Sequence, residues 1–324
     1  MTFSTEGSVL IDRLGRDIYY LRVSLTERCN LKCIYCREES DYCKGKNELT
    51  TEQYKILIPH FVSLGFRKVR ITGGEPLVRK DLAEIIRCFA SYSEIKDISI
   101  TTNAQGLSDR IPELKEAGLK RINVSLDSLD EKRYRKMTRG GDLKQVLSGI
   151  RAALQMQIPV KINTVLVRGE NDMEADDFIR LAKEYPLDVR FIELMPIGKL
   201  GESGKYRVEN REILDRHPEL YPVEPRYASQ PSEDYRTDGF SGRVGFISPV
   251  SHRFCKSCNR IRLTSDGKLK LCLGQLREID LLPYIGGDEQ ELLKVMEKAI
   301  YEKPAEHRFD ELFHSNRTMN QIGG

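Results

Sequence analysis

Six of the eight cysteines fall into two groups whose spacing suits metal or cluster chemistry. Cys29, Cys33 and Cys36 form C-x3-C-x2-C, and Cys255, Cys258 and Cys272 form C-x2-C-x13-C, with Cys43 and Cys88 outside both. Each group is one ligand short of the four that close a structural zinc site. Three thiolates on a four-iron cluster leave one iron with an open coordination position, where a ligand can bind. Two zinc readings stand beside this one: Cys43 would close a four-cysteine knuckle with the first group, and His252 would complete a Cys3His site with the second. Arg260 and Arg262, two apart on a strand-like segment, share a face and offer cationic forks, although a solvated strand face is the commoner fate of such pairs.

The elements that position these residues alternate. Tyr19 to Leu25 alternates as a strand, and the first cysteine group follows on the loop behind it. A helix runs from Thr51 to Leu64, with Thr50 and Gln53 spaced as a capping box. Strand-like runs recur at 68–72, 97–101, 121–125, 160–167 and 189–193, separated by helix-like stretches at 81–90, 110–117, 142–156 and 173–183. Six alternations predict a parallel α/β sheet with right-handed crossovers, and they fall short of the eight of a closed barrel. The expected fold is therefore an incomplete, splayed (βα)6 barrel followed by a smaller unit, with the division at 225/226.

The remaining unusual residues follow strands, where this topology places a site: Gly73-Gly74-Glu75-Pro76, Thr101-Thr102-Asn103, Ser125-Leu126-Asp127-Ser128 and Glu193-Leu194-Met195-Pro196. Singly, each reads as ordinary turn chemistry. Together, two glycines allow close backbone approach to a ligand and Glu75 sets an acceptor beside it. Residues 200–243 read as a polar, irregular connection. Beyond it come a strand at 244–248 and the second cysteine group, where Ser265-Asp266-Gly267 marks a hairpin that returns Cys272 towards Cys258. That geometry serves zinc and iron–sulfur equally. A helix follows at 292–300, and the glycine pair 323–324 reads as fraying.

Composition bounds the rest. With 324 residues, 40% hydrophobic and 31% charged, the chain is long enough for a sizeable core and is neither low-complexity nor disordered. Fifty-two Lys and Arg against 49 Asp and Glu give +3, too balanced to imply nucleic acid or a membrane surface, so an anionic partner must be met by a local cluster. No apolar run reaches the roughly 18 residues of a membrane helix, and Met1 to Leu10 lacks the pattern of a secretory signal, so the cytoplasm is the expected location.

C-x3-C-x2-C with Tyr35 before the last cysteine resembles the cluster motif of the radical S-adenosylmethionine (SAM) superfamily. The resemblance implies a [4Fe-4S] cluster on Cys29, Cys33 and Cys36, whose open iron chelates SAM. One-electron reduction then yields a 5'-deoxyadenosyl radical. The segments DRLGRDIYYLRVSLTERCN, VRFIELMPIG and CNRIRLTSDGKLKLCL, with the glycine pair, resemble the GTP 3',8-cyclase family of molybdenum cofactor biosynthesis.

That resemblance implies a second [4Fe-4S] cluster on Cys255, Cys258 and Cys272, and GTP as substrate. It further implies abstraction of the ribose 3'-hydrogen and attack of the carbon radical on guanine C8. It assigns Tyr35, Gly74, Ser125 and Met195 to SAM; Arg22, Arg70, Thr101, Lys161, Arg260, Ile261 and Arg262 to GTP; and a catalytic role to Gly323 and Gly324. A flavodoxin- or ferredoxin-type reductant, a downstream cyclic pyranopterin monophosphate synthase and a homodimer are implied partners. Arg37-Glu38 stands where relatives often carry Met-Pro. The alternatives are a radical SAM peptide-maturation enzyme with an auxiliary cluster, and a two-zinc binding module.

Overall fold

The computed structural model describes residues 10–37, 47–309 and 313–323. The strands β1 (Tyr20–Ser24), β2 (Lys68–Thr72), β3 (Asp97–Thr102), β4 (Arg121–Ser125), β5 (Val160–Val165) and β6 (Asp188–Ile192) lie side by side in chain order, all parallel. Helices α1 (Thr51–Ser63), α2 (Leu82–Ala90), α3 (Leu107–Glu116), α4 (Glu131–Thr138), α5 (Leu143–Gln155) and α6 (Ala175–Glu184) form the crossovers. The capping box of α1 is present: Gln53 N donates to Thr50 Oγ1 and Thr50 N to Gln53 Oε1. Helix α4 escapes periodicity because its sequence is mostly charged, with only Tyr134, Met137 and Thr138 buried.

Residues 200–243 are more ordered than their polarity predicts. After α7 (Gly198–Glu202) they carry α8 (Asn210–Arg216), β7 (Tyr221–Pro222) and β8 (Glu233–Arg236), each too short for a periodic signal. Strand β9 (Val244–Ile247) then adds parallel to β6, while β10 (Arg260–Leu263) adds parallel to β1 at the opposite edge. The hairpin of β10 with β11 (Lys268–Lys270) forms as expected, its turn closed by Gly267 at φ +78°, and β12 (Glu278–Asp280) completes that edge. The residues after 225 thus extend the same sheet on both sides, so that eight strands run parallel within one sheet of twelve among the described residues. Two helices, α9 (Glu289–Tyr301) and α10 (Met319–Ile322), follow.

Strand alternation sorts the side chains. Leu21, Val23, Val69, Ile71, Ile98, Ile100, Ile122, Val124, Ile162, Val189 and Ile261 point to the helices and form the main core. Their neighbours face the opposite side, where the register aligns Arg22 with Arg70 and Arg262, and Asn163 with Arg190. This second face is polar in every parallel strand from β1 to β6, which marks it as the wall of a site rather than a core.

Candidate active site

The loop after β1 carries Cys29, Cys33 and Cys36, and the residues Gly73 to Glu75 after β2 fasten it. Gly74 N donates to Thr26 O at 2.6 Å and Glu75 N to Arg28 O at 2.8 Å. A Cβ at Gly74 would collide with the carbonyl oxygens of Glu27 and Arg28, and Gly73 holds φ +152° against Thr26. The close approach that needs glycine here is thus between two protein loops. Glu75 is also turned inward: its carboxylate accepts from Leu77 N (2.9 Å), Thr102 Oγ1 (2.7 Å) and Asn103 N (2.6 Å), stapling the ends of β2 and β3. Burial pushes it up to about 7, against those hydrogen bonds.

A cavity opens beside this trio, lined by all three cysteines, Tyr35, Gly74, Glu75, Thr101, Ser125, Asn163, Glu193 and Met195. No Lys or Arg lines it among the described residues. Tyr35 donates its hydroxyl to Asp127 Oδ2 at 2.7 Å, and Asp127 Oδ1 accepts from Val165 N at 2.9 Å. Burial drives Asp127 up to about 6 and Cys33 well above its ordinary value, the latter helped by Asp127 and the two neighbouring thiols. Thr101 Oγ1 and Asn163 Oδ1 are buried without a protein partner.

The second trio borders a different cavity. Cys255, Cys258 and Cys272 line it with Tyr20, Arg22, Arg70, Arg190, Arg260, Arg262, Lys270 and Lys303, and no Asp or Glu lines it among the described residues. Burial drives Arg22 well below its ordinary value, and Arg262 and Arg190 down to about 10; the nearby guanidiniums deepen each shift. Cys258 moves the other way, down to about 6: burial opposes this, but Arg260 and Lys303 override it. Lys303 holds the trio's frame, donating to Arg260 O (2.9 Å) and Leu271 O (2.5 Å). Arg16 does the same from the N-terminal side. It donates to Asp12 Oδ2 (2.7 Å), Cys255 O (3.1 Å), Pro304 O (2.8 Å) and Ala305 O (3.2 Å).

Asn163, Ile192, Met195 and Met319 line both cavities and so form the partition between them. Met319 belongs to a C-terminal segment that enters the interior rather than fraying. Met319 N donates to Cys36 O (3.3 Å), Asn320 Nδ2 to Glu27 O (3.0 Å), and Arg262 Nη1 to Gly323 O. Arg317 anchors the segment through Asp266 (2.8 Å) and Glu278 (2.9 Å). Gly323, at φ +80°, lies against Thr72 and Ser24, where a side chain would not fit.

Both trios have the chemistry a cluster requires: three cysteine ligands among the described residues, beside a cavity for a further ligand. Among the described residues no three His, Cys, Asp or Glu converge on one metal ion. Tetrahedral zinc would need thiolates about 3.8 Å apart. His252 does not join the second trio; it is exposed, sits 3.5 Å from Glu233 and lines a separate outer groove.

Comparison with known proteins agrees. Residues 23–182 match the radical SAM superfamily and residues 187–309 match Molybdenum Cofactor Synthesis C. The chain is 47% identical over 319 residues to the GTP 3',8-cyclase of Alkaliphilus oremlandii, covering 97% of this chain and 99% of that one. The chain belongs to the GTP 3',8-cyclase family. The GTP 3',8-cyclases of Clostridium botulinum (45% identical, 97% and 100% covered) and Listeria monocytogenes (42%, 98% and 99%) are similar over the same extent. The fold also matches the crystal structure of Streptococcus suis SuiB bound to a precursor peptide, with TM-score 0.60 and 16% identity, covering 93% of this chain and 77% of that one.

For this cyclase-family chain, the structure gathers most of the residues singled out from sequence, in two places. Tyr35, Gly74, Ser125 and Met195 line the first cavity; Arg22, Arg70, Arg260 and Arg262 line the second. Three are placed differently from their expected group. Thr101 lies in the first cavity. Lys161, one pleat from Asn163, is outside both cavities and holds Asp188 at 2.6 Å, because its strand begins at the barrel's underside. Ile261 turns into the core, as alternation with Arg260 and Arg262 requires. Gly324 and Cys43 lie outside the described residues. Tyr20, Asn163 and Arg190 were missed, although Tyr20 and Asn163 each stand two residues from one that was named, and Arg190 lies in register with Asn163. Lys303 carried no signal at all.

Proposed function

We propose that the chain converts GTP to (8S)-3',8-cyclo-7,8-dihydroguanosine 5'-triphosphate, with SAM in the first cavity and GTP in the second. The observation that carries this is the division of charge among the described residues: Glu75 and Glu193 and no Lys or Arg around the first cavity, seven Lys and Arg and no Asp or Glu around the second. SAM, with a sulfonium and an ammonium against one carboxylate, suits the first; a triphosphate needs the fixed cations of the second. Cys29, Cys33 and Cys36 would hold one [4Fe-4S] cluster and Cys255, Cys258 and Cys272 another. When bound, the first cluster and SAM would supply a 5'-deoxyadenosyl radical, which would leave as 5'-deoxyadenosine with the ribose 3'-hydrogen; C3' would bond to guanine C8, and one electron from the reductant with one proton would complete the dihydro product.

The protein's part is binding, orientation and shielding. Tyr35, fixed by Asp127, is a wall for SAM, with Gly74, Ser125 and Met195 beside it. Arg22, Arg70, Arg260 and Arg262 present planar donors to phosphate and base oxygens. Ile261 would contribute its backbone, and Thr101 and Lys161 enter on the resemblance alone. Gly323 would bring a slim segment beside Thr72 and Ser24, and the catalytic role of Gly323 and Gly324 enters on the resemblance. The division at 225/226, a flavodoxin- or ferredoxin-type donor, transfer of product to a cyclic pyranopterin monophosphate synthase, a homodimer and a cytoplasmic location complete the reading. No helix among the described residues is long and apolar enough to cross a membrane.

The test is 5'-deoxyadenosine formation by anaerobically reconstituted protein with SAM and dithionite, with and without GTP. Formation should rise strongly with GTP and a cyclised dihydro-GTP should appear. Cleavage of SAM indifferent to GTP, with no cyclised nucleotide, overturns the substrate assignment.

A further inference from the structure

The buried tyrosines differ in what their hydroxyls meet. Tyr35 donates to Asp127 and Tyr134 accepts from Gln105, while Tyr54, on α1, has an unpartnered hydroxyl like that of Tyr20 but packs in the core and lines neither cavity. Tyr20 is only 4% exposed, lines the second cavity, and its hydroxyl has no hydrogen-bond partner. A buried hydroxyl without a partner costs stability that a protein recovers only when something else satisfies it. Its surroundings define what that partner is. Arg260 is its neighbour in register on β10 and Lys68 its neighbour on β2. The Lys68 ammonium lies 4.9 Å from its ring centroid and the Arg70 guanidinium 5.6 Å. All of these groups are donors only, so none can accept the phenolic proton. A ligand oxygen that accepts from Tyr20 therefore enters a ring of cations, which selects an anionic oxygen over a carbonyl or a hydroxyl.

We propose that Tyr20 is a substrate-contacting residue whose hydroxyl donates to a phosphate oxygen of the nucleotide. This rests on the assignment of the second cavity to a nucleoside triphosphate. The arginines supply charge that any polyanion would feel. Tyr20 adds a neutral donor at one fixed point, and so favours a phosphate oxygen at that point over one elsewhere in the cavity.

The experiment uses the reconstituted full chain and isothermal titration with three probes: inorganic triphosphate, GTP and guanosine. Tyr20→Phe removes the hydroxyl and keeps the ring; Tyr20→His keeps a ring donor and serves as the second variant. Iron content and SAM affinity report that each variant is folded and loaded. A hydrogen bond to a charged acceptor predicts that Tyr20→Phe weakens triphosphate and GTP about tenfold or more, with guanosine unchanged and the His variant intermediate. Unchanged triphosphate affinity in Tyr20→Phe, or equal losses for guanosine and GTP, overturns the proposal. Failure of the functional reading looks different: wild-type protein would bind triphosphate in a Tyr20-dependent way yet not distinguish GTP from other nucleoside triphosphates.

Discussion

Among the described residues, the cavity beside Cys29, Cys33 and Cys36 is lined by Glu75 and Glu193 and by no Lys or Arg, whereas that beside Cys255, Cys258 and Cys272 is lined by seven Lys and Arg and by no Asp or Glu. The ligand type is the same in both. Burial raises the Cys33 thiol in the first trio and the Cys272 thiol in the second, and the difference is at Cys258, which Arg260 and Lys303 draw down to about 6. The comparison teaches that cysteine spacing marks two like sets of ligands, while the charge of the surrounding strands makes their cavities unlike. Only the partition of Asn163, Ile192, Met195 and Met319 keeps the two environments apart.

The strongest way to break the symmetry of the trios is to remove a ligand from one. Cys272→Ser should reduce iron from about eight to about four per chain and abolish cyclised product, with SAM still bound at the first site. Normal product from that variant would show that the second trio holds no cluster needed for the reaction. Arg262→Ala comes next, because it removes a buried cation from the second wall and releases Gly323. GTP affinity should fall about 30-fold or more while SAM affinity stays within about twofold, as titration of each ligand would show.

The negative lining of the first cavity can be switched by pH. Glu75 is pushed from 4.5 up to about 7 by burial, so its favourable contribution to folding is complete below pH 4.5 and lost as pH rises through about 7. The shift corresponds to about 3 kcal/mol. Denaturant unfolding between pH 5 and 8 should show the wild type losing stability relative to Glu75→Gln; parallel curves would contradict the assignment. The smallest effect is expected from Asp127→Asn, which loosens Tyr35. SAM affinity should drop about fivefold and GTP affinity should not change, as paired titrations would show.

Much of this was legible in the chain. The six alternating units, the capping box of α1 and the hairpin at Gly267 each rest on local chemistry, and each is present. The two trios and the shared face of Arg260 and Arg262 likewise followed from spacing. The rest depends on long-range pairing. Nothing local to residues 244–247 or 260–263 says that they join opposite edges of one sheet. Glu75 and Gly74 show the second kind of limit: their residue types fit a ligand contact and a loop staple equally, and only the positions of Thr26, Arg28, Thr102 and Asn103 reveal the staple. Arg190 and Tyr20 were within reach of simple alternation; Lys303, beyond α9, was not.

Arg16 makes the order of synthesis matter. Its guanidinium is satisfied by Cys255 O, 239 positions further along the chain, and by carbonyls of residues 303 to 305. At about 5 to 20 residues per second, the ribosome delivers Cys255 roughly 10 to 50 s after Arg16. During that interval the edges of β1 and β6 that receive β10 and β9 are bare, and the second trio has no frame. A nascent chain stalled before residue 244 would therefore present two open strand edges together with the cysteines of its first trio, which makes it a substrate for holding chaperones until β9 and β10 arrive.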